Sequence, residues 1–160
     1  MSIDWNRPQP APQALWSLVH TNFPYTRFLG IYNRRNVAGT NTPSAHAEGR
    51  ALDIGVSVSE PGEKMLGDEL FKLFIKDAAE LGLDHVIWNR QIWSTERGGP
   101  RPYHGHSPHT DHVHVAFTRD GSQRTTFPRT MVDNCHPAHG YGGTRTGPEE
   151  HWLLSVAEIT

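Results

Sequence analysis

SAHAEGRALD, residues 44–53, is the stretch of this 160-residue chain that decides the fold. From its last four residues onward, apolar side chains alternate with small or acidic ones, and this is the period of a β-strand. One face of that strand should be buried, while Asp53 should lie on the opposite face, toward a cleft. Gly49 precedes the strand, and its freedom to adopt a left-handed backbone angle would turn His46 back toward Asp53. The residues predicted to be buried are Leu52, Ile54 and Val56.

A second stretch, HTDHVHV at residues 109–115, lies about sixty positions later. His112 and His114 are two residues apart, so on a strand both side chains would point to one face. Neutral imidazole and carboxylate groups are ordinary ligands of zinc. Three such ligands with an open fourth position are typical of a catalytic zinc, whereas a structural zinc is normally closed by four.

The first stretch also resembles a known family. Five of its positions match the pattern S-x-H-x-x-G-x-A-x-D of the zinc D-Ala-D-Ala carboxypeptidases and endopeptidases, and residues 112–114 resemble the H-x-H of the wider lysostaphin, DD-peptidase and hedgehog group. The resemblance extends over roughly residues 28 to 118, with residues 30–35 similar to an upstream arginine segment. Residues 86–90 and 101–103 look like a substrate-side loop. The five matching positions are Ser44, His46, Gly49, Ala51 and Asp53.

The resemblance implies a zinc ion (Zn2+) bound by His46, Asp53 and His114. Two residues are candidates for the general base that takes a proton from water. Strand alternation favours His112, which shares a face with His114. Asp111 remains an alternative, because some DD-peptidases carry their catalytic glutamate three residues before the last histidine.

Several further residues are interpreted as substrate contacts. Arg35 resembles the arginine that meets the scissile carbonyl or a terminal carboxylate, since a guanidinium offers paired planar donors; Arg34 is its rival. The remaining assignments carry structural alternatives: an aromatic side chain is often a core residue, and a serine can orient loop backbone. The other predicted substrate contacts are Ser44, Trp88, Tyr103 and His109.

Composition narrows the functional classes. The formal net charge is −2 and no basic block exists, so the composition indicates no nucleic-acid partner. The single cysteine cannot form an internal disulfide, and no apolar run is long enough for a membrane span. Eleven histidines are present, five of them between His104 and His114, and this clustering itself indicates a metal.

Periodicity predicts an α+β fold, a small antiparallel sheet with helices packed on one face. The ligand residues and the resemblance then imply a zinc site in a cleft on the other face. We expect a helix from Pro12 to about Asn22, a strand at 28–32, and a long helix capped by Ser59 that stops at Gly82. Residues 84–88 and 91–93 follow as a strand pair or as a strand and a loop. A long loop covers 94–110, a strand covers 112–117, and a short strand or helix at 152–156 would dock on the domain. The expected regions are 1–27 (arm and helix), 28–118 (peptidase core) and 119–160 (a loop-rich extension on the same domain).

The resemblance implies a monomeric zinc metallopeptidase that hydrolyses an amide in the stem or cross-link of peptidoglycan, as a DD-carboxypeptidase or endopeptidase. The N-terminus lacks the pattern of a secretory signal, which favours a phage lysin or a secreted antibacterial toxin that is made in the cytoplasm and delivered to the periplasm or cell wall. Its partners would be stem peptides and an immunity or delivery protein. Two alternatives are a hedgehog-like zinc-bearing binding domain without catalysis, and a zinc amidohydrolase of a non-wall substrate.

Overall fold

The computed structural model describes residues 2–127, and within that range six strands form one antiparallel sheet. The strand order is β1-β2-β6-β3-β4-β5, and every neighbouring pair is antiparallel. Together with the helices, this sheet confirms the predicted α+β class. The strands are β1 (Arg27–Gly30), β2 (Ala51–Gly55), β3 (Leu83–Trp88), β4 (Gln91–Ser94), β5 (Gly98–Pro102) and β6 (His112–Phe117).

The helices cover one face of this sheet. They are α1 (Pro10–Asn22), α2 (Pro61–Lys76) and the short α3 (Ala78–Leu81), and two single 3-10 turns occupy His46–Glu48 and Gly121–Gln123. Apolar residues of all three α-helices join alternate residues of β2, β3 and β6 in one buried core. Leu52, Ile54 and Val56 are all fully buried in that core, as the alternation predicts. Asp53 therefore points to the opposite face, which we call the histidine face because His85, His112 and His114 share it.

Some element bounds differ from the sequence prediction. The first helix begins at Pro10 rather than Pro12, and β1 ends at Gly30 rather than residue 32. Ser59 does not cap α2: Glu60 occupies the N-cap position, and the Ser59 hydroxyl hydrogen-bonds with Ser57 Oγ at 2.8 Å instead. The predicted long helix is interrupted at Asp77, although it does stop at Gly82, whose φ of +73° suits glycine.

The predicted loop over 94–110 is wrong in its first half. Residues 98–102 form β5, which pairs with β4. The sequence did not predict this strand because two glycines and two prolines lie in the stretch, and those residues are depleted in strands. Among the strands of residues 2–127, β5 is the last in the sheet order and has one neighbour, and an edge is where proline is tolerated.

The N-terminal arm is held against the segment that carries His46. The backbone N–H of Gln9 donates to the carbonyl of Gly49 at 2.9 Å, and the side chain of Gln9 accepts from Gln123 Nε2 at 2.9 Å. The element expected at 152–156, Cys135 and most of the expected 119–160 extension lie outside the described residues. None of the helices within residues 2–127 combines the length and the apolar character that a bilayer-spanning helix needs.

Candidate metal centre

A single 3-10 turn, His46–Glu48, orients the first candidate ligand. Ser44 begins this turn, since its hydroxyl accepts from the Ala47 N–H at 3.2 Å. Gly49 ends it with φ +64°, as predicted, and this left-handed angle brings the chain directly into β2. A Cβ on Gly49 would lie 1.8 Å from the carbonyl oxygen of Arg7, so the close packing of the arm also requires glycine.

Asp53 and His114 are direct cross-strand partners on β2 and β6, and His46 meets both of them. The distances are 2.8 Å from His114 Nδ1 to Asp53 Oδ1, 3.1 Å from His46 Nε2 to Asp53 Oδ2, and 3.2 Å between His46 Nε2 and His114 Nδ1. Ligands about 2.0–2.1 Å from a tetrahedral metal are separated by roughly 3.3 Å. The three groups, which we call the metal triad, therefore have the spacing that a metal ion requires, and they are the one such group among residues 2–127.

The protonation pattern of the metal triad also suits a cation. The Nδ1–H of His46 donates to the carbonyl oxygen of Ile31 at 2.7 Å, so in the neutral ring Nε2 carries a lone pair. That lone pair faces a carboxylate oxygen of Asp53 at 3.1 Å, and neither of these two atoms carries a proton. A positive ion between the two acceptors would remove this repulsion. The donor set thus fits a divalent metal of the zinc type.

Burial and hydrogen bonding keep the triad in its ligand states. Burial would raise the pKa of Asp53, but the hydrogen bond from His114 and the adjoining His46 ring outweigh it, and the pKa falls below its ordinary value. Burial lowers the pKa of His114 to about 3, against the opposing influence of Asp53. At neutral pH, Asp53 is therefore ionised and His114 is neutral, which are the forms that bind a metal.

His112 lies beside the triad, and its two ring nitrogens face different carboxylates. Its Nδ1 donates to Asp111 Oδ1 at 2.8 Å, and its Nε2 is 3.7 Å from Asp53 Oδ1. The His112 side chain is 16% exposed, whereas that of Asp111 is 78% exposed. Alternation thus holds as expected: His112 faces the triad with a free ring nitrogen, and Asp111 faces solvent and hydrogen-bonds to the far side of the ring.

His109 and Tyr103 form a wall next to His112. The His109 ring is buried, with its centroid 4.7 Å from that of His112 and 5.3 Å from that of Tyr103. Its Nδ1 donates to the carbonyl of Ser107 at 2.7 Å. Burial, followed by the neighbouring charge of His112, lowers the pKa of His109 to about 4, so this ring is neutral near pH 7. Both predicted substrate contacts therefore border the candidate site.

One neighbour of the site escaped the sequence analysis. His85 on β3 stacks on His114 with ring centroids 5.2 Å apart, and its Nδ1 donates to Asp84 Oδ2 at 2.8 Å. The dipeptide Asp84-His85 matches no motif, so only its position in the strand could have indicated that His85 lies at the site. A histidine on the face opposite to Val86 would have been the available clue.

Trp88 is not a groove residue, and this corrects its assignment as a substrate contact. It is 2% exposed and belongs to the helix-side core, where its Nε1–H donates to Asp68 of α2 at 2.9 Å. The reason is alternation along β3: Val86 and Trp88 share the face that packs on the helices, while His85 and Ile87 lie on the other. The ring packs closely on α2, since a Cβ added to Gly67 would lie 2.3 Å from the Trp88 ring.

Two other predicted contacts lie near the His46 segment. The Ser44 hydroxyl is used in the turn described above, and the Ser44 N–H donates to the carbonyl of Arg35 at 3.1 Å. The Arg35 side chain is exposed, as is that of Arg34. The structure therefore brings the backbone of Arg35 close to the turn that orients His46, and does not bring its guanidinium into the metal triad.

The sheet and the triad define the class of this protein: an α+β domain with a candidate metal-binding site on the face opposite its helices. Residues 5–114 match the sequence model described as VldE, C-terminal domain, and the chain belongs to that family. The matched range contains the whole metal triad and ends at His114. No curated protein and no solved structure matches the chain. The family description names neither a metal nor a reaction, so the resemblance to zinc peptidases rests on the motif residues.

Proposed function

We propose that this protein is a zinc-dependent peptidase that hydrolyses an amide bond in the peptide stem or cross-link of peptidoglycan. The observation that carries the proposal is the placement of His112, whose free Nε2 faces the metal triad from 3.7 Å while Asp111 holds its Nδ1–H. A binding domain needs the triad alone, whereas hydrolysis also needs a group that transfers protons beside it. The triad spacing and the motif match of residues 44–53 give further support.

The chemistry divides between the ion and the chain. A zinc bound by the triad would polarise the scissile carbonyl and lower the pKa of water. His112 would accept a proton from the attacking water at Nε2 as the new C–O bond forms. The C–N bond then breaks, and the same nitrogen returns the proton to the departing amine. Asp111 keeps the ring in the tautomer that leaves Nε2 free, and His109, which is neutral beside it, does not compete for the proton.

Arg35 has a separate proposed role. Its guanidinium is exposed, so it is available to a substrate that lies over the turn carrying His46. Paired planar donors suit the scissile carbonyl or a terminal carboxylate. The proposal also implies action in the periplasm or cell wall, after delivery by a phage or a secretion system, with an immunity or delivery protein as a further partner.

The test is digestion of purified peptidoglycan by the zinc-loaded chain, with the fragments identified by mass spectrometry. We expect fragments that differ by cleavage at one kind of amide, and none from the His112→Ala variant. His106→Ala serves as the matched control, because His106 is an exposed histidine of the loop before β6. Zinc binding without any new fragment would overturn the proposal and favour a hedgehog-like binding domain. Hydrolysis of unrelated amides with intact peptidoglycan would favour a non-wall amidohydrolase.

The compartment of action can be tested in cells. We expect the chain to be tolerated in the cytoplasm and to cause rounding or lysis when a periplasmic signal is fused to it, because a wall with cut stems cannot hold turgor. The His46→Ala change in the fused chain should abolish the effect. Toxicity that survives this change would not be peptidase chemistry.

A further inference from the structure

A row of cross-strand neighbours runs over the histidine face from the metal triad to the edge of the sheet. Asp53 on β2 pairs with His114 on β6, which pairs with Ile87 on β3. Ile87 pairs with Ile92 on β4, and Ile92 pairs with Arg101 on β5. Directly opposed residues in antiparallel strands project to the same face. The row is therefore acidic and imidazole-rich at one end, apolar in the middle and cationic at the other end.

Packing independently supports this orientation. Ile87 is outside the helix-side core, whereas its neighbour Val86 is inside it. On β4, Trp93 packs against that core and Ile92 does not. The apolar middle of the row therefore faces the same side as the metal triad and lies between the triad and β5, with Ile87 buried and Ile92 half-buried.

The length of the row sets the size of a ligand that could use both ends. Three strand steps separate β6 from β5. With neighbouring strands about 4.8 Å apart, the backbones of His114 and Arg101 are roughly 14 Å apart. An extended peptide advances about 3.3–3.6 Å per residue. A chain lying across the strands would therefore place about four residues between the two ends.

Arg101 has hydrogen-bonding capacity that its surroundings do not use. Its Nη2 donates to Ser94 Oγ at 3.0 Å. Its Nη1 is shielded from solvent and has no hydrogen-bond partner among residues 2–127. A guanidinium carries five donors in a planar fork that matches a carboxylate. Shielded and unpaired N–H groups are unfavourable, and a small rotation of the half-buried side chain toward a carboxylate would pair them.

We propose that Arg101 binds a carboxylate of the substrate, three or four residues along the peptide from the bond that is cut at the metal triad. This inference rests on the proposed function, and it adds the direction and length of the substrate. The peptide crosses the strands along the row, past the half-buried Ile92, and its anionic group selects for a long acidic stem. A bare D-Ala-D-Ala dipeptide reaches one end of the row and is a poor ligand.

The experiment compares two synthetic stem pentapeptides, one with its glutamate carboxylate free and one in which that group is the amide. The kcat/KM of the zinc-loaded chain is measured for both, and fluorescence polarisation of the labelled peptides gives Kd in the presence of a chelator that stops turnover. The variants are Arg101→Gln, Arg101→Lys and Arg97→Gln. Arg97 is the matched control, because it lies exposed on the same β4–β5 hairpin.

We expect the wild type to prefer the free acid by roughly 10- to 100-fold, as for a charge-assisted hydrogen bond, with the difference in KM and Kd rather than in kcat. Arg101→Gln should abolish the preference, Arg101→Lys should restore part of it, and Arg97→Gln should keep it. Equal use of both peptides by the wild type, or the same loss in both glutamine variants, would overturn the carboxylate site and leave the peptidase proposal standing. Selective binding of the free acid without cleavage would support the carboxylate site and overturn the peptidase proposal. Absence of selective binding and of cleavage would remove both.

Discussion

Replacing His112 or Asp111 by alanine should have effects of different kinds, although the two side chains hydrogen-bond to each other. His112 faces the metal triad with Nε2, and no described side chain stands between that nitrogen and Asp53. Loss of a general base typically reduces turnover by about 10²–10⁴-fold. His112→Ala should therefore lower kcat by this amount while the triad keeps its zinc.

Asp111 should matter much less, and its exposure sets the magnitude. Its carboxylate is 78% exposed, so solvent screens its attraction to His112. Exposed ion pairs contribute about 0.2–1 kcal/mol, and 1.4 kcal/mol corresponds to a factor of ten. We therefore expect Asp111→Ala to slow hydrolysis by no more than roughly fivefold, whereas a base at this position would lose orders of magnitude.

The assay is initial-rate hydrolysis of a soluble stem peptide, with zinc content measured for every variant by elemental analysis. The double variant adds a sharper criterion: once His112 is absent, removal of Asp111 should change the rate little, because Asp111 acts through that ring. The reasoning is refuted if Asp111→Ala is the more damaging change, or if His112→Ala retains wild-type turnover with full zinc.

Three further outcomes are expected. Alanine at any member of the metal triad should reduce bound zinc from about one ion per chain to a small fraction, which elemental analysis measures, because two ligands are too few; full occupancy in all three variants would contradict the assignment. The free energy of unfolding of the metal-free chain should fall as pH decreases from about 6.5 to about 3, since the low folded-state pKa of His114 means that the unfolded state binds more protons; denaturant titrations of His114→Gln should show a shallower fall. Arg35→Ala should reduce turnover more than Arg34→Ala, and Arg35→Lys should not restore it fully; equal rates for the two alanine variants would remove Arg35 from the proposed mechanism.

Local sequence patterns were sufficient to predict the triad, because each pattern determines the direction in which a side chain points. Alternation along residues 50–56 places Asp53 opposite to a fully apolar face, and the same rule places His114 on the face of His112. Gly49 was recognisable because the turn from His46 into the strand needs a backbone angle that few other residues adopt, and its φ of +64° confirms this. These inferences need no knowledge of distant contacts.

Trp88 was assigned to the wrong side because aromatic identity says nothing about direction. The strand prediction at 84–88 is confirmed, and its alternation relative to Val86 would have placed Trp88 among the helices. His85 was missed for the same reason, since a histidine outside a motif attracts no attention until the face of its strand is known.

Arg101 illustrates a limit of a different kind. Its relation to His114 depends on the pairing of β6 with β3, β3 with β4 and β4 with β5. The last of these pairs contains a register shift between Ile92 and Ser94, and the direction of every side chain on β5 depends on where that irregularity falls. A one-residue slip would send the guanidinium to the helix side of the sheet. Because register is set by tertiary packing and not by the local sequence of a Gly- and Pro-rich strand, the cationic end of the row becomes visible only when the whole sheet is assembled.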